Sequence, residues 1–174
     1  MVIWIIGLSA SGKSTLAGEL ESAIRMSGIN NLVLLDGDAI RTLMGNDVDY
    51  SIAGRLKNAE RISLFSKFLS DQGIIVIAAV LSIFPEWQKW NRENLPDYYQ
   101  VYLKVSMEKL LERDPRSLYQ SYIDGVTTNV VGFDIPFPEP YKSDLVIEND
   151  QDKLDFKSEI AEILSAINIL GTKK

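Results

Sequence analysis

Five short apolar runs punctuate this chain, at Val2 to Ile6, Asn31 to Leu35, Ile74 to Leu81, Tyr99 to Lys104 and Asp144 to Ile147. Runs that are largely apolar, rather than apolar at alternate positions, suit strands buried on both faces of a parallel sheet. Longer amphipathic stretches lie between them: Lys13 to Met26, Ala39 to Met44, Ala53 to Asp71, Pro85 to Asn94, Met107 to Arg113 and Lys153 to Leu170. Gly28 and Gly73 stand where helices should end and Ser106 where one should begin. The alternation predicts an α/β fold in which crossover helices flank a five-stranded parallel sheet. Asp114 to Ser143 breaks the rhythm with Pro115, Gly125, Gly132, Pro136, Pro138 and Pro140. A connection this long reads as a lid over a functional site. No repeat or linker divides the chain, so residues 1–174 read as one domain.

The stretch from Ala53 carries an irregularity when its residues are set at 100° steps. Ile62, Phe65, Phe68 and Leu69 define its inward side, and Arg55, Asn58 and Arg61 prolong that side toward the helix start. The start of this helix should lie beside the carboxyl end of the strand it leads into. Ligands of open parallel sheets bind beyond those strand ends, so polar groups there are expected to face a cleft.

Composition narrows the field. A formal charge of −6 argues against nonspecific binding of nucleic acid or of an anionic membrane. The longest apolar run, Ile74 to Leu81, is far below the roughly 20 residues that span a bilayer, and Met1 leads straight into the first strand. A soluble, cytoplasmic protein is expected. The chain has neither cysteine nor histidine, so any acid or base must be a carboxylate, Lys or Tyr.

Gly7-Leu8-Ser9-Ala10-Ser11-Gly12-Lys13-Ser14-Thr15 fits the phosphate-loop pattern G-x-x-x-x-G-K-[ST], with the expected strand before it and helix after it. Backbone N–H groups of such a loop curl around phosphates, the lysine adds positive charge and the hydroxyl reaches Mg²⁺. The predicted class is a P-loop NTPase that binds ATP and Mg²⁺ through Gly7, Ser9, Ala10, Ser11, Gly12, Lys13, Ser14 and Thr15. Asp36-Gly37-Asp38 closes the second strand. Phosphoryl transfer needs a carboxylate to orient or deprotonate the attacking hydroxyl, and a cation to neutralise charge. Asp38 is assigned the hydroxyl; Asp36, with Ser14, is assigned the hydrated Mg²⁺. The competing role for Asp38 is to cap the following helix. Lys13, Asp36 and Asp38 form the catalytic set. Arg41, Arg55 and Asn58 suit an anionic nucleotide acceptor, and Arg113 and Arg116 suit a lid that covers the triphosphate. Trp4, Trp87 and Trp90 read as packing residues.

A GTPase switch would carry Asn-Lys-x-Asp and Asp-x-x-Gly, and neither string occurs. A silent nucleotide-binding module would have no use for Asp38, Arg55 and Asn58 together. A kinase for a non-nucleotide metabolite stays open on these residues alone.

Taken together, the motifs resemble those of adenylyl-sulfate kinase, which phosphorylates the ribose 3′-hydroxyl of adenosine 5′-phosphosulfate. Leu35-Asp36-Gly37-Asp38-Ala39-Ile40-Arg41 is similar to that family's Leu-Asp-Gly-Asp-x-x-Arg segment. Arg55-Leu56-Lys57-Asn58-Ala59-Glu60-Arg61-Ile62 resembles its Arg-x-x-Asn-x-x-Arg-Ile helix. Ser82 resembles the serine of its substrate-side loop, Glu112-Arg113-Asp114 and Leu118-Tyr119 its lid start, and Asn129, Gly132 and Asp134 its lid end. The resemblance implies a nucleotide acceptor bound by Asp38, Arg41, Tyr50, Arg55, Asn58, Leu81, Ser82, Arg116, Leu118 and Val130. It also implies a homodimer. Tyr50 and Val130 stand where the family sandwiches adenine between two phenylalanines, and Val80-Leu81-Ser82-Ile83 replaces Phe-Ile-Ser-Pro. Adenosine 5′-phosphosulfate is the first expected acceptor, in sulfate assimilation. The alternative is a related nucleotide such as cytidine diphosphoramidate, in capsule biosynthesis.

Overall fold

A computed structural model of the chain describes residues 1–140, 142–151 and 155–167. Its centre is β1 (Val2–Ile6), whose five residues are all buried. Side chains alternate across a strand, so Ile3 and Ile5 enter one core while Val2, Trp4 and Ile6 enter the other. Both faces of β1 are therefore apolar because both are covered. β1 pairs in parallel with β3 (Ile75–Val80) on one side and β4 (Tyr98–Lys104) on the other. β2 (Leu32–Asp36) and β5 (Leu145–Glu148) form the edges, giving the all-parallel order β2-β3-β1-β4-β5.

Helix α1 (Lys13–Met26) buries Leu16, Ala17, Leu20 and Ile24, the i, i+4 stripe that an amphipathic helix presents to a sheet. It shares a core with α7 (Lys157–Ala166), which contributes Ile160, Ile163 and Leu164. Of the helix expected over Lys153 to Leu170, residues 153–154 and 168–170 lie outside the described residues. The opposite core takes Ile40 from α2 (Gly37–Leu43) and Ile62 from α3 (Ile52–Asp71). α4 (Pro85–Asn94) and α5 (Met107–Arg113) fall on the residues the pattern predicts. Among the described residues no helix is long and apolar enough to cross a membrane.

Two expectations for α3 fail. Phe68 is 63% exposed, and the buried line runs through Asn58, Ile62, Ser63, Ser66 and Ser70. Small side chains let a helix approach its neighbours closely, so serines take the inward side that hydrophobicity alone assigns to Phe68. Arg61 does not face the cleft either. Its guanidinium makes a two-pronged pair with Asp47, in the connection from α2, where Lys57 joins it.

The segment from Asp114 to Ser143 contains an unexpected helix, α6 (Leu118–Ile123). The Asp114 carboxylate starts it by accepting from the N–H groups of Leu118, Tyr119 and Gln120 at 2.8, 2.9 and 3.0 Å. Asp134 does the same for the return path, accepting from the N–H groups of Asn129 and Val130. Small apolar clusters around Tyr119 and Val130, and around Ile83, Val131 and Ile135, fix the segment against the sheet end.

Candidate active site

The carboxyl ends of β1, β2 and β3 open into a cleft of about 850 Å³. The phosphate loop forms its floor between β1 and α1, entered at Gly7, where an added Cβ would lie 2.9 Å from the Leu103 carbonyl. Gly12 has φ of +101°, a left-handed value that glycine adopts freely. The loop's carbonyls are tied away from the cleft one by one. Lys13 Nζ donates to the Leu8 carbonyl at 2.7 Å, the Tyr119 hydroxyl to that of Ser9 at 2.9 Å, and Asn149 Nδ2 to that of Ser11 at 2.9 Å. With these carbonyls engaged, the loop is kept as a set of N–H donors suited to an anion.

Burial pushes the Lys13 ammonium down to about 8, against the opposing pull of Asp36 and Asp38. Burial likewise pushes the Tyr119 hydroxyl up from its ordinary value, so it keeps the proton it donates. Tyr119 is fully buried and Asn149 is nearly so. Neither was singled out for the site from sequence, because each acts through a main-chain carbonyl more than a hundred positions away.

Asp36 and Asp38 divide their labour differently from the capping alternative. It is Asp36 that caps α2, its Oδ1 accepting from the N–H groups of Asp38 and Ala39 at 2.9 and 3.2 Å. Asp38 is thereby left to the cleft. Its Oδ1 accepts from Arg41 Nη1 and from the Tyr50 hydroxyl, each at 3.3 Å, and its Oδ2 from Arg116 Nη1 at 2.9 Å. That hydrogen bond raises Arg116 above the ordinary guanidinium value. Arg55 runs the other way: burial and the nearby Arg41 charge lower it. It spans the cleft mouth, with Nε donating to the Tyr50 carbonyl and Nη2 to the Asn129 carbonyl, both at 2.8 Å.

Asn58 is buried and donates through Nδ2 to the Gly37 carbonyl at 3.0 Å, steadying the turn between the two aspartates. Ser82 closes the wall at the end of β3. Its φ of +54° is unusual for a residue with a side chain. The turn is held by Trp4 Nε1 on its hydroxyl at 3.2 Å and Gln88 Nε2 on its carbonyl at 2.6 Å.

Of the residues predicted for the site, Ser9, Ala10, Gly12, Lys13, Ser14, Thr15, Asp36, Asp38, Arg41, Tyr50, Arg55, Asn58, Leu81, Ser82, Arg113, Arg116 and Leu118 line the cleft. Gly7 and Ser11 are buried behind it and shape the loop instead. Val130 is a correction. It is 1% exposed and packs with Leu110 and Tyr119, so it presents nothing to a ligand. The preceding residue, Asn129, has φ of +62°, and this left-handed step turns the chain so that Asn129 and Val131 meet the cleft while Val130 enters the core. Trp4 and Trp87, read as packing residues, also line it.

A phosphate loop closing β1, paired aspartates closing β2 and arginines from a lid define a P-loop phosphotransferase. The adenylylsulphate kinase family pattern matches residues 1–148. The chain belongs to this family and is an ATP-dependent nucleotide kinase. Among its relatives, the cytidine diphosphoramidate kinase of Campylobacter jejuni is 38% identical over 160 residues, 91% of this chain and 92% of that one. The adenylyl-sulfate kinase of Staphylococcus carnosus is 36% identical over 157 residues, 89% and 78% of the two chains. The APS kinase of Mycobacterium tuberculosis, solved in complex with AMPPNP and APS, superposes with a TM-score of 0.85 at 28% identity, over 98% of this chain and 97% of that one.

Proposed function

We propose that the acceptor is a pyrimidine nucleotide with a modified anionic end, of the cytidine diphosphoramidate type. The observation that carries this reading is the lid wall of the cleft. Val126, Thr127, Thr128, Asn129 and Val131 line it, without an aromatic side chain. A base stacked on an aromatic side chain gains about 1–3 kcal/mol per contact, so a wall without rings favours the smaller base, which depends less on stacking. The 38% identity to the Campylobacter enzyme over nine-tenths of both chains agrees with it.

In the proposed reaction the acceptor's ribose hydroxyl lies against Asp38 and gives up its proton there as its oxygen bonds to the γ-phosphorus of ATP. The bond from that phosphorus to the β–γ bridging oxygen breaks, and ADP carries away the electron pair. Lys13 and the loop N–H groups hold the β- and γ-phosphates, Arg113 and Arg116 offer charge from the lid, and Arg41, Arg55 and Asn58 orient the acceptor. No cluster of three or more His, Cys, Asp or Glu exists among the described residues. The donor set fits Mg²⁺, which needs only one or two protein oxygens when phosphates supply the rest: the Ser14 hydroxyl and Asp36 through Oδ2 would hold it. When bound, the ion neutralises charge on the transferring phosphoryl group.

A second reading, adenosine 5′-phosphosulfate as acceptor, is favoured by the likeness to the Mycobacterium enzyme across 98% of this chain. The deciding measurement is ADP release with ATP, Mg²⁺ and each acceptor in turn. We expect kcat/KM at least about fivefold higher for cytidine diphosphoramidate, the low end of the worth of one lost stacking contact. A preference for adenosine 5′-phosphosulfate would replace the first reading by the second.

A further inference from the structure

Tyr50 lies two residues before α3, at the mouth of the cleft, and is expected from sequence to stack on a nucleotide base. Its surroundings suit a different task. The Arg41 guanidinium lies 4.6 Å from the ring centroid and that of Arg55 lies 5.4 Å from it, distances at which a cation is attracted to an aromatic ring. Arg55 Nε also donates to the Tyr50 carbonyl at 2.8 Å. The ring is thus already engaged by two cations and the main chain is pinned. Held this way, the side chain directs its hydroxyl to Asp38 Oδ1 at 3.3 Å.

The other partners of Asp38 are two arginines. Arg116 is 74% exposed and reaches in from the lid on a long, flexible stem. Both guanidiniums are also natural partners for the phosphates that enter this cleft, so either can be drawn off the carboxylate when phosphate binds. A phenol is shorter and stiffer, and its O–H is not a phosphate clamp.

We propose that Tyr50 is a positioning residue for Asp38. Its hydroxyl holds one carboxylate oxygen at a fixed orientation while phosphates compete for the arginines, leaving the other oxygen for the acceptor. The inference rests on the reading of Asp38 as the group that receives the acceptor hydroxyl.

Tyr50→Phe keeps the ring and its two cations and removes only the hydrogen bond. We expect kcat to fall about ten- to a hundred-and-fiftyfold, as for loss of a hydrogen bond to a charged group, with the KM values for ATP and for acceptor within about twofold and the melting temperature unchanged. Tyr50→Leu, which also removes the ring, should lower kcat similarly and in addition raise the acceptor KM, because Arg41 and Arg55 lose their support. A Tyr50→Phe enzyme with wild-type kcat overturns the proposal. So does one that raises the acceptor KM at constant kcat, since the hydroxyl would then be touching the acceptor. Asp38→Asn, assayed beside it, separates the two levels: turnover retained in that variant removes the role given to Asp38, whereas turnover lost there with Tyr50→Phe unaffected removes only the role given to Tyr50.

Discussion

The two walls of the cleft are built from different materials. On the phosphate-loop side the loop's carbonyls are held by two buried neutral donors, Tyr119 and Asn149, and by the half-buried Lys13 ammonium. On the acceptor side Asp38, Arg41, Arg116 and Tyr50 hold one another, and Arg55 bridges to the lid. Buried hydrogen bonds are costly to break and change little with their surroundings. Ion pairs at a partly exposed cleft mouth are weak and exchange partners readily. In the proposed reaction the triphosphate would therefore meet a surface already shaped for it, whereas the acceptor would meet charges that must be taken from one another.

The largest expected effect falls on the acceptor wall. Asp38→Asn should lower kcat by about a thousandfold, within the range for loss of a catalytic base, and leave ATP affinity by direct titration unchanged, because no contact of the phosphate loop is altered. Equal losses of ATP affinity and turnover would mean that the walls are not independent. Asn149→Ala is the converse test. Leaving the buried Ser11 carbonyl without its donor costs about 1–3 kcal/mol, so the ATP dissociation constant should rise about five- to a hundredfold while the acceptor KM stays put.

Two aromatic substitutions sharpen the comparison further. Thr128→Phe places a ring on the lid wall and should raise kcat/KM for adenosine 5′-phosphosulfate about fivefold, one stacking contact at the low end of its range. Val130→Phe, the exchange that the sequence resemblance suggests, should gain nothing and cost about 1–3 kcal/mol of stability through overpacking, seen as a lower melting temperature. The smallest effect is that of pH. In the proposed reaction Lys13 binds phosphate as the cation; with its value pushed down to about 8 the charged fraction falls from about nine-tenths at pH 7 to about one-tenth at pH 9. Consequently kcat/KM for ATP should decline above pH 8. At saturating ATP kcat should not follow, because bound phosphate holds the proton on Lys13.

What could be read from the sequence was what acts locally. The glycines and Lys13 carry their meaning within nine residues, and β1 and α1 have their full extent in an uninterrupted apolar run and a regular apolar stripe. Arg55 and Asn58 drew notice because apolar residues were due at their positions, and both line the cleft; the same argument misplaced Arg61, which pairs with Asp47 instead. Phe68 was misread because the serines that replace it on the inward side of α3 have no hydrophobic signature. α6 was missed although Asp114 stands four residues before its first turn, since Pro115 between them reads as a break. Val130 was misplaced by the positive φ of Asn129, which no periodicity reveals. Of the donors on Ser9 and Ser11, Tyr119 showed only as part of the lid resemblance and Asn149 not at all.

The distance of those donors along the chain bears on how the protein comes to be made. Ser9 waits for a hydroxyl 110 positions further on and Ser11 for an amide 138 positions further on. Contacts between such remote residues form late, because a long loop must close before they bring any gain. The nucleotide-binding segment thus precedes its own fasteners by most of the chain's length and is among the last parts to take its working shape. A nascent or truncated chain that ends before Asn149 would carry the whole phosphate-loop motif in its sequence and still be poorly prepared to hold ATP.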